Sequence, residues 1–180
     1  MPISVKWGLV LGLSVLLWTA VVHLLGVYTV HVEYAAAVDM AVTVIPIAVL
    51  TLALIERRRA RHGALSFVDG VVTGLIVAAV SAPITLAGLW FYHHYVNPDW
   101  LSILVDYQRR KLTAAGVPSD KIALSIAQLQ LSGDDRRQLI GGFVGTTAMG
   151  LILSVIITAV LKFIERTRRH DLKTRAEGAG

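Results

Sequence analysis

None of the 180 residues is a cysteine, so disulfides, thiolate chemistry and cysteine-held metal or iron–sulfur centres are excluded. Charge is also scarce. Only 16% of the residues are charged while 55% are hydrophobic, a balance that no ordinary soluble domain of this size shows. The stretch from Val71 to Leu89 carries no charge at all. Near the centres of the long apolar runs there is no acid, lysine or arginine, which argues against a proton-driven pump. Motifs of catalysis are missing too: no G-x-S-x-G, no phosphate loop and no paired acids on one face. The expectation is a non-enzymatic protein without a cofactor.

What the chain does have is four long apolar stretches. In hydrocarbon only protein can satisfy a backbone amide, so apolar runs of about 20 residues read as membrane-spanning helices. Span one is expected near Trp7–Val27, span two near Ala35–Ile55, span three near Phe67–Tyr92 and span four near Ile140–Phe163. Trp7 marks one interface; Tyr28, Tyr34, Trp90, Tyr92 and Tyr95 mark the other. The first run is longer than the apolar core of a signal peptide. The small triplet Ala35-Ala36-Ala37 lies too far beyond it to serve as a cleavage site, so it reads as a retained helix.

Basic residues set the orientation. Arg57, Arg58, Arg59 and Arg61 crowd the short loop between spans two and three, and such loops stay in the cytoplasm. Both termini then lie inside, with eleven of the seventeen Lys and Arg. Arg136 and Arg137, close to span four on the outside, pull the other way, while the first outer loop has Glu33 and no cation. The net charge of +5 is accounted for by topology and anionic lipid head groups, not by nucleic acid. Ser66-Phe67-Val68-Asp69 reads as a capping box opening span three, which gives Asp69 a structural role.

Residues 93–139 form an extracytoplasmic helical insertion in a single membrane domain spanning 1–180. Asn97-Pro98 reads as a helix start, followed by Trp100, Leu101, Leu104, Val105 and Leu112 at helical spacing until Gly116 stops it. Pro118-Ser119-Asp120 opens a second helix with Ile122, Ile126 and Leu129 on one side. Both are amphipathic and too short to span. Residues 171–180 read as a disordered cytoplasmic tail.

Small residues recur every four positions: Gly8 and Gly12 in span one, Gly70, Gly74, Ala78 and Ala82 in span three, Gly142, Thr146, Gly150, Ser154 and Thr158 in span four. Such stripes let backbones approach closely, within one bundle or between copies. An internal echo accompanies them: GLVLGLSV from Gly8 and GVVTGLIV from Gly70, then IERRRARH from Ile55 and IERTRRH from Ile164. If the echo is a duplication, the two hairpins form a parallel repeat. Pro46 and Pro83 are expected to kink spans two and three, with Thr43, Ser81 and Thr85 near the freed carbonyls. His23, His31, Glu33, Asp39, His93 and His94 all fall toward one side of the membrane, a donor set that suits Zn²⁺ or another divalent ion. None of them has the spacing of a helical ligand pair, and adjacent His93 and His94 point about 100° apart on a helix. The expectation is therefore no common metal site.

Three segments carry a family likeness: IPIAVLTLALIERRRARHGALSFVDGVVTGL, FYHHYVNPDWLSILVDYQRRKLTAAGVPSDKI and GLILSVIITAVLK. On these, residues 7–165 resemble a family of small bacterial four-helix membrane proteins known only as a domain of unknown function, common in Bacteroidetes. The resemblance implies a multi-pass protein of the bacterial inner membrane and lends no catalytic residue. The fold class expected is all-α: four transmembrane helices with a two-helix amphipathic insertion between the third and fourth. Two functional classes follow. One is a scaffold or accessory subunit whose partners are the lipid bilayer and a second copy or another membrane protein. The other is a small oligomeric transporter or metal-handling protein.

Overall fold

The computed structural model describes residues 1–62 and 65–177, with side chains to residue 164 and at Thr167. Every regular element among them is helical: α1 (Ile3–Leu24), α2 (Ala35–Ala41), α3 (Val44–Ala60), α4 (Phe67–Phe91), α5 (Trp100–Ala114), α6 (Ser119–Leu131) and α7 (Asp135–Glu177). A 3₁₀ turn, Val32–Tyr34, precedes α2, and a π-helical turn, Tyr92–Val96, continues α4. Among the described residues four stretches are long and apolar enough to cross a bilayer: Ile3–Leu24, Val32–Ala60, Phe67–Val96 and Asp135–Ile164.

The helix ends follow local chemistry. Gly26 at φ 73° and Gly116 at φ 69° close α1 and α5 in the left-handed conformation that glycine adopts without penalty. In both, two backbone bonds fold back over the last turn: Val27 N to Val22 O (3.2 Å) and Gly26 N to His23 O (2.8 Å), then Val117 N to Leu112 O (3.1 Å) and Gly116 N to Thr113 O (3.0 Å). Ser66 caps α4, its Oγ accepting the Asp69 N–H at 3.0 Å and donating to the Asp69 carboxylate at 2.9 Å. Arg61 reaches the same carboxylate at 3.2 Å, joining the arginine loop to the start of α4.

The distortion expected at Pro46 is present, the bounds of span four widen, and the expected Asn97 cap is overturned. Span two is not one helix: it breaks at Val42–Thr43, because Pro46 has no N–H to bond back to the Val42 carbonyl. The chain closes the gap with Ile45 N bonding Val42 O at 3.0 Å, while the Thr43 hydroxyl goes to Met40 O at 2.6 Å. α4, by contrast, continues through Pro83 without interruption. Asn97 does not cap α5. It turns inward and is buried, and α5 begins three residues later. Span four is a segment of a helix of 43 residues, about 65 Å long, that starts at Asp135 and is capped by Asp134 accepting the Arg137 N–H at 2.8 Å. Residues 171–177 of the expected tail continue this helix, and residues 178–180 lie outside the described residues.

α4 is the hub of the bundle, packing on α1, α3 and α7. Its register with α1 is parallel: a Cβ on Gly8 would stand 2.6 Å from Val80 Cβ, one on Gly12 2.9 Å from Ile84 Cβ, and Gly88 lies under Leu16. With α7 it is antiparallel. Gly70 faces Thr158, Gly74 faces Ser154, Ala78 faces Gly150, and Leu86 lies on Gly142. Each glycine thus admits a side chain from the neighbouring helix, the small-for-large fit that brings backbones close where no water drives association. α3 closes the groove, giving a core of Leu11, Val49, Leu50, Ala53 and Val77. The rest of each long helix leaves large apolar side chains bare, such as Leu13 at 60%, Leu17 at 67% and Val144 at 60% exposure, a surface suited to hydrocarbon.

Because α7 runs antiparallel to α4, the start of α1, the arginine loop and the far half of α7 share one end of the bundle. At that end Lys6 Nζ lies 2.6 Å from both Glu56 oxygens, and Trp7 Nε1 donates to Glu56 at 2.7 Å, tying α1 to α3. α5 and α6 pair at the opposite end, with Ile126 and Val105 buried and α5 resting on the 3₁₀ turn.

Candidate functional site

At the α5–α6 end the break after α1, the bend before α2 and the π turn after α4 bring polar and aromatic side chains together. The π turn arises where Asn97 N bonds Tyr92 O at 2.8 Å, five residues back. Extra-wide turns of this kind re-aim the side chains that follow and are frequent at functional sites. Here the turn places Tyr92 and Asn97 inward. Asn97 Nδ2 donates to Tyr92 Oη at 3.3 Å and to Tyr28 O at 3.4 Å. The Tyr92 hydroxyl also lies 2.8 Å from His23 Nδ1, within hydrogen-bond reach. The Tyr28 ring stands edge-on to Tyr92 with centroids 6.4 Å apart, and its hydroxyl donates to Asp39 Oδ1 at 2.7 Å. Burial first, and then the bond to Asp39, raise the Tyr28 hydroxyl well above the ordinary phenol value. It therefore remains a proton donor throughout the physiological range.

Beside this chain of bonds is a cavity of about 280 Å³ with a mouth to the surface. Its polar wall is Tyr28, Asp39, Tyr92, His93 and Asn97; its apolar floor is Val32, Leu89, Ile103 and Leu104; Trp100 stands at one side. The His93 ring stacks on the Trp100 indole at 4.3 Å and 18°. Its Nδ1 is buried without a hydrogen-bond partner.

The six residues expected as a loose donor set separate. Asp39 and His93 share the cavity. His23 stands behind Tyr92 and does not line it. His31 and Glu33 pair with each other at 3.7 Å on the surface. His94 faces away from His93: its Nδ1 lies 2.9 Å from Trp90 O and its Nε2 3.3 Å from Asp135. Among the described residues no group of three or more His, Cys, Asp or Glu is placed to hold a metal ion. Tyr28, Tyr92, Asn97 and Trp100 were absent from the expected set. The tyrosines read as interface markers, Asn97 as a cap and Trp100 as a helix-face residue, since no spacing tells of a bend two residues away.

A second cavity, about 290 Å³, lies within the bundle among Leu11, Pro46, Leu50, Ser81, Thr85 and Gly150. Its polar atoms are hydroxyls, and the Ser81 hydroxyl is spent on Ala78 O at 3.0 Å. It has no charged lining.

Residues 6–162 match the model of a family described as "Protein of unknown function (DUF4199)". The chain belongs to this family. Neither a curated protein nor a solved structure matches it. The matched stretch takes in most of the four apolar helices and the α5–α6 pair of this chain and ends at Lys162, before the last turns of α7.

Proposed function

We propose that this DUF4199 member is a non-enzymatic, multi-pass scaffold or accessory subunit of the bacterial inner membrane, with both termini in the cytoplasm and α5–α6 on the outer face. The observation that carries the reading is the fit of α4. Glycines on α1 accept its side chains, and its own glycines accept those of α7, so the central helix is gripped from two sides. A transporter must let such helices slide or rock about a midplane site. Here the intramembrane cavity has no ionisable residue to couple to a gradient. The charged pairs sit at the ends of the bundle, where they fix helices to one another. A frame of this kind suits holding the α5–α6 pair in place for a partner protein or a second copy.

The competing reading, a small transporter, rests on the intramembrane cavity beside Pro46, Ser81 and Thr85. One experiment separates the two. A Cβ at Gly70 would stand 3.1 Å from Thr158 Cβ, and a small outward shift reaches the about 3.5–4.5 Å between Cβ atoms that a disulfide spans, so a Gly70→Cys/Thr158→Cys pair can be oxidised to staple α4 to α7. In a deletion strain of its own host, the stapled protein should complement as well as the reduced one. Loss of complementation on stapling, restored by reductant, would identify a moving part and refute the scaffold. Topology is read separately: a cysteine at Ser119 should label in intact cells and one at Ala60 should not.

A further inference from the structure

We infer that the cavity beside Asp39 binds an organic ammonium group, carried either by a free amine or by the head of an aminophospholipid. Two features of the wall point to this class. The first is a single carboxylate: Asp39 Oδ1 accepts from Tyr28, which leaves Oδ2 to face a cation at the exposed rim. The second is aromatic. The rings of Tyr28, Tyr92 and Trp100 bound the same space, and an ammonium ion is attracted to π faces once part of its water is removed.

A metal ion is the wrong occupant for this wall. It would need three or more donors, and of the described His, Cys, Asp and Glu residues only Asp39 and His93 line the cavity. An inorganic or carboxylate anion would meet Asp39 at the entrance. The volume, about 280 Å³, lies just below the ordinary range for ligand sites, about 300–1,000 Å³, and suits a head-sized group. Leu89 and Leu104 on the floor take the carbon part. The cavity sits at the last turn of the third apolar stretch, the depth of lipid head groups, so both sources of the ammonium have access.

The test uses the full-length protein in nanodiscs of phosphatidylglycerol, with choline titrated by calorimetry against neohexyl alcohol, its uncharged isostere. Choline should bind saturably and the alcohol should not. Asp39→Asn should weaken binding about tenfold, equivalent to about 1.4 kcal/mol. Tyr28→Phe, which keeps the carboxylate, should retain binding. Asp39 is exposed, so its variant should unfold at the wild-type temperature; if it does not, Trp100→Leu supplies the second variant and should weaken binding several-fold. Nanodiscs of phosphatidylethanolamine distinguish the sources. If the lipid head occupies the site, these discs should suppress choline binding and raise the unfolding temperature in wild type but not in Asp39→Asn. If a free amine does, choline affinity should be the same in both lipids. Equal binding of the alcohol, or the absence of both a choline isotherm and an Asp39-dependent lipid effect, would overturn the assignment.

Discussion

Replacing Gly74 with alanine adds one methyl group, and the structure says where it goes. The new Cβ would stand 2.5 Å from Ser154 Cβ and 3.5 Å from Ser154 Cα. Carbon atoms rest at about 3.5–4.0 Å, so the side chains must separate by about 1.0–1.5 Å. Ser154 cannot simply turn aside, because its hydroxyl bonds Gly150 O at 2.5 Å and the residue is fully buried. α7 must therefore move off α4 near the middle of their contact. Overpacking of this sort costs about 1–3 kcal/mol. The reasoning also predicts its own rescue: in Gly74→Ala/Ser154→Gly the nearest atom left is Ser154 Cα at 3.5 Å, ordinary van der Waals contact. The double variant should recover most of the loss, with a coupling of about 1–2 kcal/mol in a double-mutant cycle. Reversible unfolding in mixed detergent micelles gives all four corners, and Leu13→Ala on the lipid-facing side of α1 serves as a mild control. If Gly74→Ala is as stable as wild type, or the double variant is no better than the single, the interlocked contact is not what holds α7 to α4.

Three further outcomes follow from particular atoms. Thr158 Oγ1 is buried without a partner against Gly70, so Thr158→Val, which keeps the shape and removes the hydroxyl, should stabilise by about 1 kcal/mol; a loss of stability in the same unfolding assay would mean the hydroxyl is bonded. Glu56→Gln weakens the acceptor shared by Lys6 and Trp7, and should red-shift the Trp7 emission and loosen α1 from α3 in hydrogen exchange; unchanged protection of the first turns of α1 would refute the tie. The raised Tyr28 hydroxyl makes the folded state hold its proton more tightly than the unfolded state does. Its contribution is thus fully present below pH 10 and fades as pH climbs above that value, so the stability gap between wild type and Tyr28→Phe should be flat up to there and narrow beyond it. A gap that closes well below pH 10 would contradict the burial of this hydroxyl.

Much of the architecture was legible because hydrophobic length is a local property. The α1 and α4 spans lie within a few residues of their apolar runs, the capping box at Ser66 opens α4, and Gly116 and Pro118 punctuate the α5–α6 pair. The small-residue stripes were legible as stripes. Only tertiary structure decided what each one touches: Gly70 opposite Thr158 and Gly74 opposite Ser154 require α4 and α7 antiparallel in one register, and Gly8 on Val80 requires α1 parallel in another. A stripe signals close approach to something, but the identity of that neighbour depends on how helices far apart in the chain are arranged. The same holds at the cavity. Asp39, His93 and Asn97 have unremarkable spacings, and Asn97 in isolation is a good helix cap. Their convergence depends on a break at Val42, a π turn at Tyr92 and an α5 that begins after Asp99, and each of these is settled by how the backbone satisfies its hydrogen bonds once the helices are packed. Composition and periodicity determined that four helices seek hydrocarbon; the packing among them decided which polar side chains would share a cavity at its edge.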